Sequence, residues 1–67
     1  MMNVVINGAP REIPSELDID GMLDFLELTG SPLLVECNGT ALLKSEWPTT
    51  FLRENDRIEL VRVVAGG

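Results

Sequence analysis

Arg57-Ile58-Glu59-Leu60-Val61-Arg62-Val63-Val64-Ala65-Gly66-Gly67 is the stretch on which the reading of this 67-residue chain turns. Through Val64 it reads as a β-strand, rich in β-branched residues and alternating in polarity. Ile58 and Leu60 share one face by the two-residue period and are expected to point into a core. Glu59, Val61 and Val63 fall on the other face. Two residues without side chains then follow. Glycine has no Cβ, so such a tail is thin enough to thread a narrow active site and accepts almost any φ/ψ there. Its last group is a free carboxylate. Terminal residues commonly fray whatever their identity, so the pair acquires meaning only from the rest of the chain.

Working outward, Met2 to Asn7 reads as a strand carrying Val4, Val5 and Ile6. Asn7-Gly8-Ala9-Pro10 is a turn signal, and Arg11 to Pro14 returns as a short strand, with Pro14 confined to its end or to an edge. Asp18 is placed to cap a helix over Ile19 to Thr29, with Asp20 favourable to its dipole. Ile19, Met22, Leu23 and Leu26 follow the i, i+3, i+4, i+7 spacing of one apolar face. Gly21 weakens that helix by roughly 1 kcal/mol relative to alanine. Gly30 is placed as the residue just past its end, with Pro32 blocking continuation. Leu33 to Asn38 reads as a third strand, Asn38-Gly39 as a second tight turn, and Ala41-Leu42-Leu43 as a short extended piece. Lys44 to Pro48 reads as a helical turn or loop, and Glu54-Asn55-Asp56 as the last turn before the final strand.

That order predicts an α+β fold: a β-grasp roll in which a mixed sheet of four to five strands is crossed by one main helix. The expected division is a domain over residues 1–64 and a flexible tail over 65–67. If the first and last strands are central neighbours they run parallel, and the tail leaves from a well-anchored strand.

Composition narrows the function. Five basic residues against eleven acidic ones give a net charge of −6. Nucleic acid requires a basic patch, and anionic membrane surfaces attract basic segments, so neither is an expected partner. Proteins with basic docking faces are. The chain has no histidine and one cysteine, Cys37. A Ser-His or Cys-His nucleophile therefore has no base, no intrachain disulfide can form, and a metal site is not expected. No apolar run is long enough to span a bilayer, and Met1-Met2-Asn3 lacks the start of a signal peptide. A reduced, cytoplasmic setting is the expectation.

Several short motifs occur together in one order: Val4-Val5-Ile6-Asn7-Gly8, Met22-Leu23-Asp24-Phe25-Leu26, Val35-Glu36-Cys37-Asn38-Gly39, Lys44-Ser45-Glu46-Trp47, and Asp56-Arg57-Ile58-Glu59-Leu60-Val61 through Gly66-Gly67. In that order they resemble the ThiS family of ubiquitin-like sulfur carriers over nearly the full length. Lys44 stands where the family usually has Arg. Asn55 replaces a usual Gly before Asp56, but Asn also tolerates a left-handed backbone. Ala65 replaces a frequent third Gly and stiffens the tail.

The resemblance implies a chemistry. In such carriers an ATP-dependent adenylyltransferase, similar to ubiquitin-activating enzymes, adenylates the terminal carboxylate, here that of Gly67. Sulfur from a cysteine-derived persulfide, made by a cysteine desulfurase or a related donor, then replaces the adenylate and leaves a thiocarboxylate. Thiazole synthase takes up that sulfur for the thiazole of thiamine. The carrier is a protein co-substrate and not an enzyme. It binds no cofactor of its own, and ATP is used by the activating enzyme. Gly66 supplies clearance and Ala65 is the tail's departure from pattern.

The same resemblance implies that the outer sheet face docks the activating enzyme. Val61 and Val63, with Val5 on the opening strand, are the candidate partner-binding residues; ordinary sheet packing or a dimer contact is the competing account. Cys37 is expected to be a buried free thiol without catalytic duty. Trp47 is expected to cover one edge of the core. Asp18, Asp20, Asp24 and Glu27 read as capping and a solvated helix face. Arg11, Arg57 and Arg62 read as surface charge. The rival functions are a sulfur carrier for molybdopterin or amino-acid biosynthesis, a ubiquitin-like modifier, and an interaction domain with an inert tail.

Overall fold

The two Asn-Gly pairs turn the chain as their chemistry dictates. Asn7 and Gly8 adopt φ of 51° and 82°, and Asn38 and Gly39 adopt 52° and 84°. A two-residue type I′ turn requires positive φ at both central positions, and Asn followed by Gly meets that at least strain. The first pair joins β1 (Met2–Ile6) to β2 (Ala9–Ile13), and the second joins β3 (Leu33–Cys37) to β4 (Thr40–Leu42). The last strand, β5 (Arg57–Arg62), enters between the two hairpins. The computed structural model describes residues 1–64, and the expected 65–67 tail lies outside the described residues.

The result is one mixed sheet of five strands in the order β2-β1-β5-β3-β4. β5 runs parallel to β1, with Ile6 opposite Ile58, and antiparallel to β3, with Val35 opposite Leu60. A parallel pair needs a long crossover, and the crossover carries the helix α1 (Ile19–Phe25). This is the β-grasp arrangement expected from the element order. Pro10 lies within β2, which is an edge strand, where a missing backbone donor is tolerated.

The start of α1 matches the cap expected for it. The Gly21 N–H donates to Asp18 Oδ1 at 2.7 Å. A Cβ on Gly21 would lie 3.0 Å from Leu17 Cδ2 and 3.2 Å from the capping Asp18 Oδ1. A side chain at this position would require Leu17 and the capping carboxylate to give by a few tenths of an ångström.

The helix ends earlier than its pattern suggests, at Phe25 and not at Thr29. Glu27 takes a left-handed φ of 61°. Its N–H donates to Asp24 O at 3.0 Å, and the Leu28 N–H reaches back to Leu23 O at 2.7 Å. That pair of bonds is a Schellman motif, and it turns Leu28 onto the core. The residue past the helix end is thus Glu27, and Gly30 belongs to the following turn. A glutamate held left-handed is strained, so Glu27→Gly is expected to raise stability by about 1 kcal/mol, read as a higher denaturant midpoint.

The core lies between α1 and one face of the sheet. Val4, Ile13, Ile19, Met22, Val35 and Ile58 are almost wholly excluded from solvent. Trp47 covers one edge at 6% exposure, held by a 3-10 helix over Lys44–Thr49. Glu46 organises that turn: its carboxylate accepts the Leu43 N–H at 2.7 Å, and its carbonyl accepts the Thr50 hydroxyl at 2.7 Å.

The entry to β5 is fastened from both sides. The Asn38 amide donates to Asp56 Oδ1 at 2.9 Å and accepts the Arg57 N–H at 2.9 Å. Asn55 holds the left-handed φ of 69° that its turn requires, and its N–H donates to Asn3 O. Glu54 accepts the backbone N–H of Asn3 at 3.0 Å and its side-chain amide at 2.9 Å. The backbone bond first, and then the amide bond, lowers the Glu54 carboxyl below its usual range.

Candidate functional site

β5 is firmly held along its length. Its centre is paired on both sides, by β1 and by β3. Ile58 is fully buried beneath α1 and Leu60 is half-buried against the same core, as the two-residue period predicts. β1 stops at Ile6, so the far end of β5 has no strand beside it on that side. There the Asn7 side chain takes over: Oδ1 accepts the Leu60 N–H at 2.7 Å, and Nδ2 donates to Leu60 O at 3.3 Å. On the other side the Val63 N–H donates to Pro32 O at 2.8 Å.

The outer face of the sheet carries an exposed apolar group. Val61 is 51% exposed and Val63 42%. Leu34, 61% exposed, lies directly opposite Val61 on β3. The next pair on this face toward the strand's start is Glu36 opposite Glu59, both exposed. Like charges directly opposed across a sheet are unfavourable. An apolar pair bordered by two carboxylates suits a partner whose docking face is apolar with a basic rim.

Val5 does not join this group. It is half-buried and sits opposite Arg57. Four residues of strand separate that position from Val61, about 13 Å at 3.3 Å per residue, with Glu59 between. Leu34 occupies the place that sequence reasoning assigned to Val5. Its signal was available: Val35 is an inward residue, so Leu34 beside it must face outward. What local reasoning lacks is the register that sets Leu34 against Val61.

Cys37 is half-buried, and its thiol is pushed up by burial first and then by the nearby Asp56. A thiol held protonated is a poor nucleophile. Asp18 caps α1, and Asp24 Oδ1 accepts the Thr29 hydroxyl at 3.4 Å. Among the described residues no cluster of metal-ligating side chains occurs, and no helix is long and apolar enough to cross a membrane. Arg11, Arg57 and Arg62 are exposed. A cleft of about 400 Å³ lies between α1 and the 3-10 helix, lined by Asp20, Asp24, Lys44 and Trp47 among others. The Lys44 ammonium stands 5.9 Å from the centre of the Trp47 ring there. The cleft is on the helix side of the sheet, away from Leu34 and Val61. Gly66, Gly67 and Ala65, the expected tail, lie outside the described residues.

Over residues 4–67 the sequence matches the ThiS family. The fold is similar to the crystal structure of the thiamine biosynthesis protein ThiS from Geobacter metallireducens. The TM-score is 0.86 at 26% identity, covering 98% of this chain and 100% of that one. An uncharacterized protein, ycf40, from Porphyra purpurea is 26% identical over 98% of this chain and 93% of its own length. A thiazole synthase from Paramagnetospirillum magneticum is 27% identical over 98% of this chain, which spans 20% of that protein.

Proposed function

Because the chain belongs to the ThiS family, we propose that it is a sulfur carrier of thiamine biosynthesis, with the Gly67 carboxylate as the group that carries sulfur. The observation that carries this reading is the family match running through Gly67, behind a strand paired on both sides. A carboxylate is a poor acyl donor because its oxygen is a poor leaving group. An adenylating enzyme removes that obstacle: the carboxylate oxygen attacks the α-phosphorus of ATP and pyrophosphate leaves. The terminal sulfur of a cysteine persulfide then attacks the acyl carbon and AMP leaves. A thiol cleaves the resulting acyl disulfide, forming a disulfide with the donor sulfur and freeing the thiocarboxylate. That group is a strong sulfur nucleophile.

Each step needs reach and clearance from the carrier, and acid–base chemistry from the enzymes around it. The carrier is therefore a co-substrate, with ATP and the persulfide handled by others. The likeness to part of a thiazole synthase favours thiazole as the destination of the sulfur. The test is mass spectrometry after incubation with ATP, the activating enzyme and a persulfide donor. Exchange of one oxygen for sulfur at Gly67 is expected. Adducts to lysines of other proteins would instead make it a modifier, and an unchanged Gly67 would overturn the carrier reading.

On this reading the Leu34, Val61 and Val63 face docks the activating enzyme, and the carboxylates of Glu36 and Glu59 meet its basic rim. Val61→Asp is expected to weaken that complex by roughly tenfold or more, as loss of a central apolar anchor does. Val5→Asp, away from the group, is expected to change it little. Titration calorimetry reads both, and unchanged binding by a folded Val61→Asp protein would remove the face from the interface.

A further inference from the structure

The Asn-Gly turn that ends β1 creates a deficit in β5. On the side facing β1, the Asn7 N–H donates to Ile58 O at 2.9 Å, the last backbone bond of that ladder. The next backbone groups of β5 on this side belong to Leu60, and the chain of β1 has already turned away. The Asn7 side chain supplies both missing partners, accepting at 2.7 Å and donating at 3.3 Å. A primary amide carries one acceptor and two donors, so it can replace the N–H and C=O of an absent residue.

The turn itself does not need this amide. Its φ of 51° at Asn7 is a conformation that glycine adopts freely. The amide is thus a separate device, bridging 53 positions of sequence to the last turn of strand before the tail.

We propose that Asn7 is a positioning residue for sulfur loading: its side-chain amide clamps Leu60 from the side that β1 leaves open and so steadies the end of β5. The proposal rests on the sulfur-carrier reading. Without the clamp, the last fixed point on that side moves back to Ile58. The end of β5 is then held by β3 alone, through its pairing as far as Arg62 and the Val63–Pro32 bond, so it opens more often and a smaller share of the carrier is competent to bind the activating enzyme. Once it is docked, the chemistry is unchanged. The signature is a raised KM for the carrier with kcat retained.

Asn7→Gly keeps the turn and removes the clamp. Asn38→Gly is the matched control, since it keeps a turn and removes two comparable amide bonds at the opposite end of β5. Asn7→Gly is expected to raise the KM for the carrier in adenylation by roughly tenfold, the scale of one or two lost hydrogen bonds, with kcat within about twofold. It is also expected to speed hydrogen exchange at the Val63 amide. Asn38→Gly is expected to do neither. Asn7→Asp keeps the acceptor for Leu60 and loses the donor, and is expected to fall between wild type and Asn7→Gly. Thermal unfolding of each variant confirms that it is folded. Equal KM changes in Asn7→Gly and Asn38→Gly, or none in Asn7→Gly, would overturn the proposal. A wild-type protein that the enzyme never adenylates would overturn the sulfur-carrier reading and Asn7's part in it. Faster Val63 exchange in Asn7→Gly alone would then still establish the clamp.

Discussion

Ile58→Ala is expected to leave most of the protein unfolded at room temperature. Ile58 is 1% exposed and sits on β5, between Ile6 of β1 and Cys37 of β3, beneath α1. Truncating a buried isoleucine to alanine costs about 2–5 kcal/mol, the larger values where the cavity cannot collapse. A central strand between two hairpins has little room to collapse. Domains below ~70–80 residues rarely have more than ~3–5 kcal/mol to lose, and one cysteine cannot form a disulfide within the chain. The whole margin is therefore at stake in one side chain. Far-UV circular dichroism and a urea titration read the result. Ile58→Val is expected to cost about 0.5–1.5 kcal/mol and to stay folded. Val61→Ala, three residues on but facing solvent, is expected to change stability by no more than about 0.5 kcal/mol. An Ile58→Ala protein with a wild-type midpoint would mean that the core is not organised around β5.

What the sequence reveals of this fold is what short-range chemistry decides. Asn7-Gly8 and Asn38-Gly39 are legible because the turn conformation selects those residues directly, and with both turns come two hairpins. Asp18 is legible as a cap for the same reason. The inward and outward residues of β5 are legible because the strand period is two. The end of α1 is not. Glu27 takes a left-handed backbone because doing so turns Leu28 onto the core, and that tertiary gain outweighs a propensity that favoured Gly30. The outer apolar group is half legible. Val61 and Val63 follow from the period alone, but Leu34 depends on the β3–β5 register, and Val5 falls outside because the β1–β5 register sets it against Arg57. Asn7 shows the limit most clearly. Its value to the turn is written locally, while its bonds to Leu60 lie at the other end of the chain. The chemistry proposed for Gly67 has no periodic signal, and rests on motifs that resemble a family.

Deleting Gly66 and Gly67 is expected to abolish sulfur loading while leaving the unfolding midpoint where it was. The core residues are untouched, so stability has no reason to move. The deletion also leaves a C-terminal carboxylate, now on Ala65, so the chemical group is not what is lost. Reach is lost: two extended residues span about 7 Å. Attack on the α-phosphorus of ATP requires reacting atoms within about 3–3.5 Å, and misplacement by even about 1 Å can cost roughly 100-fold. A shortfall of several ångströms therefore removes adenylation altogether. Gly67→Ala separates reach from clearance, because it restores the length and the carboxylate and adds only a Cβ. A substantial loss in that variant means that the activating site is too narrow for a side chain, whereas near-normal loading means that length alone decides. Mass spectrometry of the terminal residue follows the chemistry, and growth without thiamine follows its consequence. Cells carrying the deletion are expected to require thiamine and to be rescued by thiazole, because the ring-forming step lacks its sulfur. Normal growth of the deletion strain would place the sulfur of that ring elsewhere, and would leave this tail without the duty assigned to it.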